Sequence, residues 1–187
     1  MTLAQIILRA IHLLDEEPED VGEFHDLFMA FANEGYRIAV TQYVRPRQRF
    51  PVKTDKGGFA PLLFAHVTRV VRLEDEMGCE VFFDLCEDGL RIKTRRPREN
   101  MVALCEIAYP DLEHDDDVPR IPGFLHPALA DYICYRYLAS GNLARQSRAQ
   151  AFSANFYRAM QAARPQGMGS VTRLQNLYAV TASRYRA

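Results

Sequence analysis

The chain has 187 residues, 48% of them hydrophobic and 25% charged, with 23 Lys and Arg set against 24 Asp and Glu. That balance excludes collagen-like, mucin-like, disordered and disulfide-scaffold classes. A chain this long buries roughly 70% of the surface its unfolded form exposes, enough for a core without disulfides or metal. No run approaches the roughly 18 apolar residues of a membrane span. The opening apolar run is broken by Arg9 and followed by acids from Asp15, without the basic start and small-residue cleavage site of a signal peptide. A soluble protein made in the cytoplasm is expected, with no membrane partner. Cys79, Cys86, Cys105 and Cys134 form no Cys-x-x-Cys pair, and reduced thiols acting as small hydrophobes are the expectation.

The net charge of −1 hides strong segregation. Residues 1–40 hold two bases against eight acids, 41–72 seven bases against Asp55, and 73–90 seven acids with no base. Residues 91–100 return five bases against one acid, 101–131 seven acids against Arg120, and everything from Tyr132 onward carries eight arginines and no acid. Such blocks mark different surfaces for different partners.

In chain order, Leu3, Ile6, Ile7, Ala10, Ile11 and Leu14 recur at helical spacing, and Thr2 with Gln5 makes a capping box, so a helix is predicted over 2–14. The acidic, proline-containing run Asp15–Asp20 ends it. Val21, Phe24, Leu27, Phe28 and Phe31 predict a second helix over 20–41, folded back on the first. From Tyr43 to Pro61 the chain is basic and rich in Pro and Gly, and reads as extended or looped, with solvated Arg45, Arg47 and Arg49 alternating with inward Gln48 and Phe50. The segments 65–73, 80–85, 90–94 and 102–108 read as strands of one small antiparallel sheet of three to five strands, with Asp88-Gly89 as a hairpin turn. The β insertion therefore spans about 43–109.

After the acidic spacer 111–117, His126-Pro127 opens a third helix over 127–140, buried through Leu129, Ile133 and Tyr137. A fourth, over 143–164, carries the stripe Ala149, Phe152, Phe156, Ala159, Met160 and Ala163. The fold class expected is α+β, mainly α: an antiparallel helical bundle from N- and C-terminal helix pairs, with a small antiparallel sheet inserted in the middle, as one domain over 1–164. Residues 165–187 follow as a Pro/Gly linker and an amphipathic arm whose Val171, Arg173, Leu174, Leu177, Tyr178 and Tyr185 await a partner.

No catalytic signature is found, neither G-x-x-x-x-G-K-[ST], G-x-S-x-G nor H-E-x-x-H, so no enzyme, cofactor or metal centre is expected. Glu113 to Asp117 could offer carboxylates to a hard cation, but it lacks the glycine and terminal glutamate of an EF-hand and reads as a hydrated loop. The basic segments 45–56 and 93–98 could contact phosphates, with Phe50 or Phe59 stacking on bases, which keeps a nucleic-acid-binding module as the alternative. Against it stand the intervening acidic blocks and a pI near 6.5.

Element order then carries the most information. An amphipathic first helix ending in acids, a second helix and a β-rich middle lead to Cys105-Glu-Ile-Ala-Tyr-Pro-Asp-Leu112 and an acidic spacer. Ile121-Pro-Gly-Phe-Leu-His-Pro-Ala-Leu-Ala-Asp-Tyr132 and Ala149-Gln-Ala-Phe-Ser-Ala-Asn-Phe-Tyr-Arg-Ala-Met160 complete the layout. Over nearly the whole chain this layout resembles the head–tail adaptor proteins of tailed bacteriophages and prophages. The resemblance implies a non-enzymatic virion protein, monomeric in isolation, that assembles as a dodecameric ring on the portal protein, extends the DNA channel and joins a neck or tail protein. DNA would pass through without sequence-specific binding. By the same resemblance residues 170–187 are the portal-docking arm, and Arg45, Arg47, Arg49, Arg95, Arg96 and Arg98 are candidate subunit or DNA-channel contacts.

Overall fold

A computed structural model of the chain describes residues 1–15, 21–61, 66–86, 91–139 and 141–163. Among the described residues the fold is mixed α and β, with four α-helices and two small antiparallel sheets. Helix α1 spans Leu3–Leu14, and its six predicted stripe residues are its six buried ones. The predicted capping box is present: Thr2 Oγ1 accepts from the Gln5 amide and Gln5 Oε1 from the Thr2 amide.

Helix α2 spans Val21–Ile38 and does not stop near residue 41; it widens into a π-helical turn, Ala39–Val44, that ends on Arg45 in the left-handed region, φ 46°. Ala39, Val40 and Tyr43 of that turn are buried, so burial keeps the helical path going where the basic run suggested extended chain. Leu27, expected on the buried stripe, is exposed, while Phe28, Ala32 and Tyr36 are buried. A 3-10 turn, Gly123–Leu125, leads into α3, His126–Ala139, and Asn142 caps α4, Leu143–Ala162, by accepting from the Arg145 amide.

All four helices contribute to one apolar cluster. Gly35 marks a close approach of α2 to α3: a Cβ there would lie 2.9 Å from Cγ of Tyr132. Around it the aromatic side chains meet edge to face, Phe24 and Phe28 on Tyr137, and Phe156 of α4 lies against Tyr132 with centroids 4.8 Å apart.

The segment between α2 and α3 forms two three-stranded sheets where one was expected. Strands β1 (Arg47–Val52), β6 (Met101–Ile107) and β3 (Val67–Asp75) make the first, in the order β1-β6-β3. Strands β2 (Phe59–Pro61), β5 (Arg91–Thr94) and β4 (Phe83–Leu85) make the second, in the order β2-β5-β4. Residues 80–82, read as strand, supply only a bridge, Glu74 to Glu80. The Asp88-Gly89 turn lies outside the described residues.

Proline 51 lies in β1 because that strand is an edge, pairing with β6 alone, where a missing amide costs no ladder bond on the open side. Gly58, at φ 82°, turns the chain into β2 within 2.5 Å (measured from an added Cβ) of the Thr94 carbonyl, room that only glycine leaves. Val52, Ala60, Leu73, Ile92, Met101, Ala103 and Cys105 of the two sheets close a second apolar cluster between them.

Candidate functional site

Three charged features are built on this frame. The first is one face of the sheet β1-β6-β3. Residues directly opposite share a face in an antiparallel ladder, so the register puts Arg47 and Arg49 with Glu106 and Leu104, and Arg69, Arg72 and Glu74 beside them. The opposite face carries Phe50, Val52, Met101, Ala103 and Cys105 into the apolar cluster. Gln48, expected inward, is exposed, because its partner Cys105 is covered from the other sheet while the strand edge stays open.

Glu74 and Glu106 are each only 8% exposed, and a buried carboxylate needs a cation. Arg49 Nη2 lies 3.5 Å from Glu74, Arg72 pairs with the same carboxylate, and Arg47 Nη2 lies 3.7 Å from Glu106. Arg45 stands apart at the end of the π turn, its Nε donating to the Gln42 carbonyl at 3.2 Å. Much of the basic charge of residues 45–56 is therefore matched within the fold. Lys53 continues the pattern, 3.1 Å from Glu99.

The second feature is a cleft of about 320 Å³ at the edge of the β module, lined by Glu80, Val81, Phe82, Thr94, Arg95, Arg96 and Arg98. Thr94 Oγ1 shapes its floor by donating to the carbonyls of Gly58 and Arg96. Arg98 leans away, 3.3 Å from Asp75, and its amide donates to Thr54 Oγ1 at 2.7 Å. Among the described residues Arg95 and Arg96 are exposed and without an ion-pair partner, and Phe82 is 82% exposed. On the outer face of the second sheet Arg91 and Lys93 stand over the Phe59 ring, 5.7 and 5.1 Å from its centroid. Phe59 is thus occupied by cations of its own fold.

The third feature is the acidic loop 111–117. Its backbone, more than its carboxylates, has a role: the carbonyls of Asp117 and Asp115 accept from the amides of Leu3 and Ala4, while Thr2 accepts from Gln5 and Ile6. With the Thr2 amide donating to Gln5 Oε1, the amides of Thr2, Leu3, Ala4 and Gln5, which lack a partner within the helix, are all satisfied, and Ile6 makes the first regular helical bond; the acids stand at the positive end of the helix dipole. Asp117 Oδ2 accepts from the amides of His114 and Glu113, and these bonds hold its carboxyl below the usual range.

Asp115 is 2.8 Å from His25 Nε2, and that hydrogen bond raises the imidazole's pKa. Asn33, 7% exposed on α2, fixes the start of the loop through two bonds with the Leu112 backbone, 2.9 and 2.7 Å. His126 fixes the far side: Nδ1 is 2.8 Å from the Met1 amino nitrogen, and Nε2 is 3.1 Å from the carbonyls of Pro119 and Ile121. Of the loop's carboxylates, Asp111 pairs with Arg37 at 3.3 Å. Glu113 and Asp116 are exposed and, among the described residues, unpaired.

The structure brings Arg47 and Arg49 onto one sheet face and Arg95, Arg96 and Arg98 into one cleft, and leaves Arg45 outside both. Val171, Arg173, Leu174, Leu177, Tyr178 and Tyr185 lie outside the described residues. Reasoning from sequence missed Glu74, Glu106, Phe82 and Asn33. The period-two spacing of Arg47 and Arg49 was a signal for a single strand face, but nothing local to Asn33 marks it as the partner of Leu112. Among the described residues no group of three or more His, Cys, Asp or Glu could hold a metal ion, and no helix is long and apolar enough to cross a membrane. In comparisons with known proteins, neither a family description nor a curated relative matches this chain.

Proposed function

We propose that the chain is a structural subunit of a head–tail adaptor type: a virion protein of a tailed phage or prophage that joins as a ring to the portal protein and receives a neck or tail protein. In this reading the four helices form an antiparallel bundle from N- and C-terminal pairs, in one domain over 1–164, and residues 170–187 dock on the portal. The observation that carries it is the layout. Helices from both halves of the chain share one core, and the β module is inserted between α2 and α3, the order the family resemblance implies. A ring also needs opposed faces on one subunit, and among the described residues the fold presents unpaired Arg95 and Arg96 at one feature and unpaired Glu113 and Asp116 at another.

The nucleic-acid-binding alternative is weakened by pairing. Arg47, Arg49, Lys53 and Arg98 of the two segments invoked for it each have a carboxylate within 4 Å. Counterion release requires cations that are available to phosphates.

The test is direct. The purified chain is mixed with the portal protein of its own phage or prophage and imaged by cryo-electron microscopy, with and without residues 170–187. A ring on the portal that is lost with the truncation supports the reading; bare portals at saturating concentration of the full chain refute it.

A further inference from the structure

The two charged features left with free groups are complementary. The β-module cleft offers Arg95 and Arg96, unpaired among the described residues, beside an exposed Phe82. The acidic loop offers Glu113 and Asp116, likewise unpaired, beside Val118, which is 54% exposed. Each side therefore combines two like charges with one apolar side chain at its border, and the signs are opposite. The remaining carboxylates of the loop are engaged internally, Asp111 with Arg37, Asp115 with His25 and Asp117 with backbone amides. That leaves Glu113 and Asp116 without a partner among the described residues of the subunit.

We infer that the cleft of one copy receives the loop of a second copy, Arg95 and Arg96 meeting Glu113 and Asp116 with Phe82 against Val118, as a head-to-tail contact. Such a contact uses two different patches and repeats from copy to copy, the requirement for a ring. It rests on the ring-forming role proposed above and names its interface. Glu80 in the cleft wall argues for a protein segment with spaced acids over a continuous phosphate backbone, which would run past that carboxylate. Desolvated charge pairs of this kind set register and partner choice as well as affinity.

The contact predicts a specific pattern of charge reversal. Arg95→Glu with Arg96→Glu makes both features acidic, and Glu113→Lys with Asp116→Lys makes both basic. All four sites are exposed, and circular dichroism checks that each variant folds. By sedimentation equilibrium at low salt and at concentrations approaching about 1 mM, where a subunit that is monomeric when dilute still shows a weak contact, wild type is expected to self-associate, each variant alone to associate at least about tenfold more weakly, and an equimolar mixture of the two to recover association. The inference is overturned if wild type stays strictly monomeric up to about 1 mM, if the reversals are without effect, or if the mixture fails to recover. Binding of a single-stranded DNA 20-mer that is lost on Arg95→Glu with Arg96→Glu, with self-association untouched, also overturns it. Rings on the portal that tolerate both reversals refute this contact and leave the adaptor reading standing. Reversal-sensitive self-association without portal binding does the opposite.

Discussion

Replacing Gly35 by alanine sets two effects of known size against each other. Glycine inside a helix costs about 0.8–1 kcal/mol relative to alanine, so propensity alone predicts that Gly35→Ala stabilises α2. The new Cβ, however, would lie 2.9 Å from Cδ1 and Cγ of Tyr132 and 3.1 Å from its Cβ. Carbon atoms prefer separations of about 3.5–4.0 Å; the Tyr132 Cβ is fixed by the backbone, and Cγ and Cδ1 move away only if the buried ring swings to another χ1 rotamer. Tyr132 is buried, and burial pushes its phenol up to about 12. Its ring is hemmed in by Tyr135 and Phe156, so α3 itself must shift. Overpacking of this kind costs about 1–3 kcal/mol, which exceeds the propensity gain over most of its range. The expected net loss is up to about 2 kcal/mol, or a fall in Tm of up to about 8 °C for a chain of this size. Gly123→Ala is the matched control, because an added Cβ there meets nothing within 4 Å. It should leave Tm unchanged or raise it by at most about 4 °C, which corresponds to about 1 kcal/mol for a chain of this size. Thermal melts of both variants decide the matter, and a Gly35→Ala protein more stable than wild type by the full propensity gain of about 1 kcal/mol would falsify the close crossing of α2 and α3.

Three further outcomes are expected. The His25 imidazole, raised by its hydrogen bond to Asp115, should titrate above 6.5 by NMR and return toward 6.5 in Asp115→Asn. Because its folded pKa is the higher one, its stabilisation is complete below pH 6.5 and is lost as pH rises through the folded value; exposure limits it to under about 1 kcal/mol. His25→Gln should flatten that part of the pH–stability profile, and an unchanged profile would count against the pair. Asn33→Ala should cost about 2–4 kcal/mol in chemical denaturation, since it leaves the buried amide and carbonyl of Leu112 without partners; a loss below 1 kcal/mol would contradict the geometry. Finally, an aromatic disulfide reagent should modify exposed Cys79 first and reach Cys105 and Cys134 only on unfolding, because burial raises both thiols, Cys134 up to about 12. Rapid native labelling at all four positions would refute that order.

The helices were legible because their signals are local. Six apolar residues at helical spacing and one capping box define α1 completely, and the stripe of α4 is buried or half-buried throughout. The sheets were not, because their pairing is distant. Strand β1 finds its partner β6 about fifty residues on, and β3 fills the far side. No periodicity within a single segment tells that β2 belongs with β5 instead. Proline and arginine made β1 look like a loop; it is an edge strand whose arginines lie over glutamates from other strands. The candidate site divides in the same way. The cluster Arg95, Arg96 and Arg98 was visible as a basic run, whereas Phe82, which shares its cleft, comes from a separate segment. The acidic loop was read through its side chains, but its bonds to α1 are made by carbonyls, which every residue carries.

Those carbonyls also bear on the order of events during synthesis. The amides of Leu3 and Ala4 are completed by Asp117 and Asp115, more than a hundred residues later in the chain. At a synthesis rate of about 5–20 residues per second the first helix waits roughly 6–20 s for its final cap. Throughout that interval its stripe of Leu3, Ile6, Ile7, Ile11 and Leu14 lacks α3, the element against which it packs most extensively. Helix α1 is thus among the last elements of the fold to be finished, and a nascent chain stalled before residue 115 presents an apolar helix whose capping box is made but whose Leu3 and Ala4 amides still lack their partners.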